Sequence, residues 1–352
     1  MVLNSKGKFI VKNSKASKAV SVILAVAIIA AAVLSIIYFS KRNSSHEESF
    51  IAMGTVFSVK LYGGENEEAA KQIKETVENS ETQLLSRLSE SSVIYNINKN
   101  GKGEISTELY NLMTLSQQVS RDSGGAYDMT VGALTGLWNI GTENARVPSE
   151  EELSKALKTV GYENVTLTSD SVTLSEGQQI DLGAIGKGYM CDKAAEILKE
   201  NDIKSAVISA GGSILVYGEN PSGGQWKVGI RNPEGSSSDI FAVLSLTEGY
   251  ISTSGDYERT FTENGKTYHH ILNPQTGYPA DSGLSSVTII SASGALSDAL
   301  STACFVLGYE NSLPLLEKYG AEGIFVTHDK KVYMSDGIKN SLEITDESFV
   351  LG

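Results

Sequence analysis

The sequence predicts an α+β protein, a single domain of mixed sheets with flanking helices, carried behind one N-terminal transmembrane helix. Three observations predict it. Val20 to Phe39 is an uncharged apolar run of the length that crosses a bilayer as a helix. From Ser49 onward, alternating segments are interleaved with segments of helical periodicity, without an internal repeat, and one continuous domain accounts for them better than two. Ile180 to Leu198, IDLGAIGKGYMCDKAAEIL, passes through three glycines into an amphipathic helix, and the apolar residues Val172, Leu174, Ile180 and Leu182 predict a strand before it.

The apolar run sets the topology. Lys6, Lys8, Lys12, Lys15 and Lys18 precede it and only Lys41 and Arg42 follow closely, so the positive-inside bias puts residues 1–19 in the cytoplasm and 20–39 in the membrane. Residues 40–48 then read as a linker and 49–352 as an extracytoplasmic domain. A cleaved signal peptide is the competing reading, but the run exceeds a usual h-region and Ser35 to Ser40 holds no clear A-x-A site. Seven of the 29 basic residues and none of the 42 acidic ones lie before Asn43, leaving 22 against 42 beyond it, a net charge of -20. That balance argues against nucleic acid or anionic lipid as the main partner. Cys191 and Cys304 sit in apolar helical patterns, as buried thiols do, and form no zinc or disulfide framework.

In order, Asn43 to Glu48 reads as a polar connection, and Ser49 to Tyr62 as a strand interrupted at Met53-Gly54-Thr55. Glu67 to Leu88 has helical periodicity, and a cap signal at Ser106/Thr107 introduces a helix over Leu109 to Val119. Gly124 to Gly141 has two readings: a buried turn and short helix, or the wall of a pocket for a flat ring, with Ala126 to Asp128 supplying backbone and carboxylate contacts. Ser149 and Glu152 form a capping-box pattern before a helix to Val160, and Val165 to Leu174 reads as a hairpin. Ala206 to Tyr217, Trp226 to Ile230, Phe241 to Leu246 and Tyr250 to Thr253 are further strands, and Ser293 to Leu307 is a helix.

Three groups of residues carry candidate chemistry. At a strand-to-helix turn, Gly183, Gly186 and Gly188 would let the backbone approach a ligand, while free amides and Lys187 attract phosphate; the plainer reading is a tight connection whose lysine faces water. Neither the Walker A nor the GxGxxG spacing fits. Of the four histidines, His46 falls in the linker and His328 in a surface turn, which leaves His269 and His270 as candidate bases. Asp298 and Thr302 share a helix face and offer hard oxygens to a magnesium ion; alternatively Asp298 caps locally and Thr302 bonds a backbone carbonyl.

Together these segments resemble the ApbE family, the FAD:protein FMN transferases. The match runs in order through Met53-Gly54-Thr55, Tyr127-Asp128-Met129-Thr130-Val131-Gly132 with Leu137-Trp138, Asp181 to Tyr189, Ala210-Gly211-Gly212-Ser213, Ser252-Thr253-Ser254-Gly255, His270-Ile271-Leu272-Asn273-Pro274 with Thr276-Gly277, and Asp298-Ala299-Leu300-Ser301-Thr302. The resemblance implies a T-fold-like catalytic domain that moves the FMN half of FAD to a threonine or serine hydroxyl of an acceptor protein, with Mg2+ as cofactor and AMP released. It implies Asp298, Thr302 and the Ala184 carbonyl as metal ligands. Met53, Ala126, Tyr127, Asp128, Asp181, Lys187 and Leu272 would contact FAD, and His270 would be the base, with His269 as runner-up. The implied acceptors are exported FMN-carrying proteins, subunits of electron-transfer complexes or reductases. Two positions depart from the family pattern: Gly186 stands where alanine is usual, and SESSVIYNIN after Leu88 lacks a proline often found near the adenine. The rival readings are a metal-dependent FAD pyrophosphatase using the same site and a non-catalytic, membrane-tethered flavin carrier, for which a base and a metal pair would be superfluous.

Overall fold

The computed structural model describes residues 45–352, together with residues 2–3, 9–10, 23–24, 26–27 and 30. The expected transmembrane run therefore lies outside the described residues but for five helical positions, as do the cytoplasmic segment, but for residues 2–3 and 9–10, and residues 40–44 of the linker. Among the described residues no helix is long and apolar enough to cross a membrane.

A nine-stranded sheet organises the domain, and its strands follow one another across the sheet in chain order. They are β1 (Ser45–Ala52), β2 (Thr55–Tyr62), β3 (Ser205–Ala210), β4 (Ser213–Gly218), β5 (Gly249–Gly255), β6 (Leu284–Ser291), β7 (Glu322–Thr327), β8 (Lys331–Met334) and β9 (Val350–Leu351). All neighbours are antiparallel except the last pair, β8 and β9, so the sheet is mixed as expected. The helices are insertions in this meander. α1 (Asn66–Asn79), α2 (Val93–Asn100), α3 (Thr107–Asp122), α4 (Gly132–Trp138), α5 (Glu150–Leu157) and α6 (Gly186–Glu200) lie between β2 and β3; α7 (Gly294–Leu307) and α8 (Tyr309–Tyr319) lie between β6 and β7.

Period-two alternation explains how the sheet holds its layers. Phe57, Val59 and Leu61 of β2 turn to the helical face and join Ile73 and Val77 of α1, Ile197 and Leu198 of α6, and Leu300 and Ala303 of α7 in the main core. Val216, Ile251, Ile324 and Val326 join a second core with the small sheet of Trp226–Arg231, Ile240–Leu246 and Leu342–Ile344.

Three elements differ from expectation. β1 begins at Ser45, inside the segment read as a linker, because this polar edge strand finds partners: Glu47 pairs with Lys60 at 3.3 Å and Glu48 with Lys74 at 3.2 Å. The strand expected from Val172 to Leu182 is cut short. Ser171–Thr173 pairs within a three-stranded sheet, whereas Ile180 is held by a side chain: Asn98 Nδ2 donates to its carbonyl at 2.8 Å and its amide donates to Asn98 Oδ1 at 2.7 Å. The helix expected to Leu88 ends at Asn79 and continues as a π-helical turn, Ser80–Leu85, a feature often found near functional sites. The caps at Ser106 and Ser149 form as the sequence predicts, and Ser293 caps α7 as well.

Candidate active site

The dense stretch from Asp181 to Tyr189 becomes the loop before α6 and its first turn. There α6 crosses α7 at two glycines. A Cβ on Gly188 would stand 1.9 Å from the Gly294 carbonyl oxygen, and one on Gly294 2.1 Å from that of Gly188, so only bare backbone fits. Gly188 was read as opening the backbone to a ligand; it serves this crossing instead.

The crossing has two electrostatic consequences. Asp192 of α6 caps α7, accepting from Gly294 N at 2.7 Å, Ala295 N at 2.8 Å and Ser293 Oγ at 3.1 Å, where the helix dipole favours an anion. The Gly188 amide, in turn, donates to Asp298 Oδ2 at 3.0 Å. As one of the first-turn amides of α6 it has no acceptor within the helix, and Asp298 supplies one. The Ala184 carbonyl, just before the helix, has no hydrogen bond among the described residues.

Asp298, 3% exposed, meets a second partner in Lys187, whose Nζ lies 3.5 Å from Oδ1 and donates to the Gly183 carbonyl at 3.3 Å. The lysine therefore does not simply face water. One turn along α7, Thr302 Oγ1 lies 3.4 Å from Ser254 Oγ of β5, which also bonds Ser301 Oγ at 2.8 Å. Ser293 caps α7, so Asp298 is not a local cap. Among the described residues no three His, Cys, Asp or Glu side chains group as a metal centre. One carboxylate, one hydroxyl and one open carbonyl are instead hard donors, a set that suits magnesium completed by water and substrate phosphate and does not suit zinc.

Asp181 braces this loop. Its Oδ1 accepts from Gly183 N at 2.9 Å, and its Oδ2 accepts from Thr135 Oγ1 of α4 at 2.7 Å and lies 3.1 Å from Arg87 Nε. Beside it, three of the motif blocks converge at one end of the sheet. Met53 and Gly54 form the two-residue turn between β1 and β2 with φ of 51° and 69°, the left-handed pair that a tight hairpin demands and that methionine rarely adopts. A Cβ on Gly186 would meet Met53 Cε at 2.9 Å, one on Gly211 would meet Thr55 Oγ1 at 2.6 Å, and one on Gly212 the Thr253 carbonyl at 2.6 Å.

The two histidines leave the hairpin of Thr260–Glu263 and Lys266–His269 in different states. His269 uses both ring nitrogens: Nε2 bonds the Ala280 carbonyl at 2.9 Å and Nδ1 accepts from Ile271 N at 3.3 Å. His270 Nδ1 is enclosed without a partner. Burial first, then the positive charges of Arg259 and Lys187, push the His270 pKa down to about 3, so its imidazole is neutral across the physiological range.

Other expected contacts are engaged inside the protein. Tyr127 is 2% exposed and shares a 2.5 Å hydrogen bond with Ser116. Asp128 Oδ1 accepts from Thr130 N and Thr130 Oγ1, both at 2.7 Å, and Oδ2 accepts from Tyr162 N at 3.0 Å. Its carboxylate is thereby spent on the turn, and from Ala126 to Asp128 only backbone remains for a ligand. Trp138 donates to the Gly277 carbonyl at 2.7 Å and packs among Phe261, Tyr268 and Tyr278, so this stretch forms a buried turn and short helix. Leu272 joins Trp138, Leu134 and Leu153 in that cluster. Arg87, Thr135 and Arg259 went unnoticed in the sequence, because their places depend on partners distant along the chain.

The sequence profile described as the ApbE family matches residues 53–325. The FAD:protein FMN transferase of Treponema pallidum (strain Nichols) is 34% identical over 333 residues, 88% of this chain and 92% of that protein. That of Escherichia coli (strain K12) is 28% identical over 306 residues, 82% of this chain and 87% of that one. Among solved structures, the ApbE protein of Thermotoga maritima aligns with a TM-score of 0.78 at 34% identity, over 85% of this chain and 99% of that one. The apo flavinyl transferase ApbE of Pseudomonas stutzeri aligns with a TM-score of 0.74 at 27% identity, over 85% and 97%. The motif blocks, the fold and these relatives agree, and the chain belongs to the ApbE family.

Proposed function

We propose that the chain transfers the FMN half of FAD to a threonine or serine hydroxyl of an acceptor protein, with magnesium bound and AMP released. The observation that carries this reading is the grouping of Lys187, Asp298 and a neutral His270: a cation suited to phosphate, a carboxylate suited to a metal, and an unprotonated base within the field of that same lysine. The relatives, FAD:protein FMN transferases, supply the reaction class.

The residues divide the work as follows. Asp298, the Thr302 hydroxyl and the Ala184 carbonyl would hold magnesium, which when bound would neutralise charge developing on the pyrophosphate. Lys187 binds the pyrophosphate oxygens, and Asp181 holds the loop that presents it. Met53, Leu272 and the Ala126 to Asp128 backbone contact the rest of the dinucleotide. His270 Nε2 takes the proton of the acceptor hydroxyl as that oxygen attacks the FMN phosphorus. The bond from that phosphorus to the bridging oxygen breaks, AMP leaves with the electron pair, and the proton passes from His270 to solvent. Phosphoryl chemistry asks little more of a protein than charge and position. With residues 20–39 as an anchor and the domain outside the cytoplasm, the acceptors are exported FMN-carrying proteins, subunits of electron-transfer complexes or reductases.

Detergent-solubilised chain mixed with FAD, magnesium and a flavin-carrier domain tests this by intact mass and nucleotide chromatography. A gain of one FMN with stoichiometric AMP, abolished by chelator, is expected. AMP and free FMN with an unmodified carrier would instead indicate a pyrophosphatase, and intact FAD a carrier protein.

A further inference from the structure

Two cations act on His270, and only Lys187 has a task so far. The other, Arg259, lies between β5 and the hairpin that ends at His269. Its carbonyl accepts from His270 N at 3.1 Å, which ties its backbone to the candidate base. Its side chain runs over two left-handed turns: a Cβ on Gly54 would come within 3.1 Å of Arg259 Nη2, and one on Gly141 within 3.2 Å of Arg259 Cδ. Those turns have φ of 69° and 89°, and their bare glycines give the long side chain its berth.

What the guanidinium lacks is a partner. Arg87, Arg146 and Arg231 pair with Asp181, Glu152 and Glu258, whereas the side chain of Arg259, exposed at the rim, has neither hydrogen bond nor ion pair among the described residues, as is also true of Arg121 on α3. A planar fork of five donors, placed by packing and left without an acceptor, matches phosphate oxygens better than any other group. We propose that Arg259 is a positioning residue for the dinucleotide, its guanidinium binding the pyrophosphate of FAD together with Lys187. This rests on the transferase reading.

The reaction geometry favours pyrophosphate over an acidic side chain of the acceptor. A base within hydrogen-bond reach of the attacking hydroxyl, about 3 Å, keeps the phosphorus only one further contact away. The Arg259 guanidinium lies against Gly54, and the adjoining Met53 reaches Gly186, the neighbour of Lys187, so both cations stand at the same end of the sheet. Binding the pyrophosphate there also sets negative charge against the two cations that add to the effect of burial in depressing His270, and so offsets their share of it.

The test is FAD titration of the full detergent-solubilised chain, without acceptor, followed by flavin fluorescence, with ADP and riboflavin as separate probes. For Arg259→Gln the affinities for FAD and ADP should fall by about 10- to 100-fold, the loss of a charge-assisted phosphate contact, with riboflavin affinity and melting temperature unchanged. Arg259→Lys, which keeps the charge and loses the fork, should recover part of the loss. Wild-type affinity for FAD and ADP in both variants would overturn the proposal, and a raised KM for the acceptor alone would assign Arg259 to the docking surface instead. If the unsubstituted chain fails to transfer FMN, the functional reading falls separately, since these titrations need no turnover.

Discussion

Gly188→Ala puts the helix crossing to its sharpest test. In an ordinary helix this substitution stabilises by up to about 1 kcal/mol, because alanine is the better helix former. Here the new methyl would lie 1.9 Å from the Gly294 oxygen, 2.5 Å from the Gly294 carbonyl carbon and 2.7 Å from Asp298 Cβ. These are backbone and near-backbone atoms that no rotamer change can clear, so α6 and α7 must separate by about 1 Å, with an overpacking cost of about 1–3 kcal/mol. Separation also breaks the Gly188 N to Asp298 bond at 3.0 Å, a charge-assisted contact that contributes about 1.5–3 kcal/mol. The net expectation is a destabilisation of about 3 kcal/mol, read from denaturant titration, with FMN transfer lost because Asp298 moves. Gly186→Ala is the control: its methyl meets only the mobile Met53 Cε at 2.9 Å and Leu85 Cδ1 at 3.7 Å, so stability should change by less than about 1 kcal/mol. A Gly188→Ala protein as stable and active as the parent would refute the crossing argument.

Asp298→Asn keeps an acceptor for the Gly188 amide but removes the carboxylate proposed to hold magnesium, so transfer should vanish while circular dichroism is unchanged; normal transfer would sink the metal assignment. His270→Ala should bind FAD normally and lose about 100- to 10,000-fold in transfer rate, and loss of FAD binding would make it a ligand contact. Stability should fall as pH drops from about 6.5 toward 3, because the unfolded His270 takes up a proton that the folded one, depressed to about 3, refuses; His269, lowered mainly by burial, acts in the same sense. His270→Gln should flatten that slope in urea melts between pH 6.5 and 4.5, and an unchanged slope would show that burial does not hold the imidazole neutral.

Features governed by neighbours along the chain were legible in the sequence. The Ser106 and Ser149 caps and the buried thiols of Cys191 and Cys304 follow from local chemistry, and each stands as expected. What failed did so through distant partners. Ile180 looks like a strand residue because it is apolar and flanked by others, yet the Asn98 amide takes the place of a neighbouring strand. Ser45 to Glu48 looks like a linker because it is polar, yet lysines on β2 and α1 let an edge strand keep its charge.

The candidate site divides along the same line. Glycines betray close approach, and that much can be read; whether the neighbour is a ligand or another backbone cannot. Gly188 is the instructive case, since its bare Cα admits the Gly294 carbonyl and its first-turn amide thereby reaches Asp298. One helix contact thus orients the carboxylate proposed as a metal ligand. Asp128 and Trp138 lie within a motif block yet hold the scaffold, while Arg259 lies in none and faces the site unpaired. Motif membership therefore marks where the chain must be shaped, and only the pairing of each polar atom shows which side chains are left for a substrate.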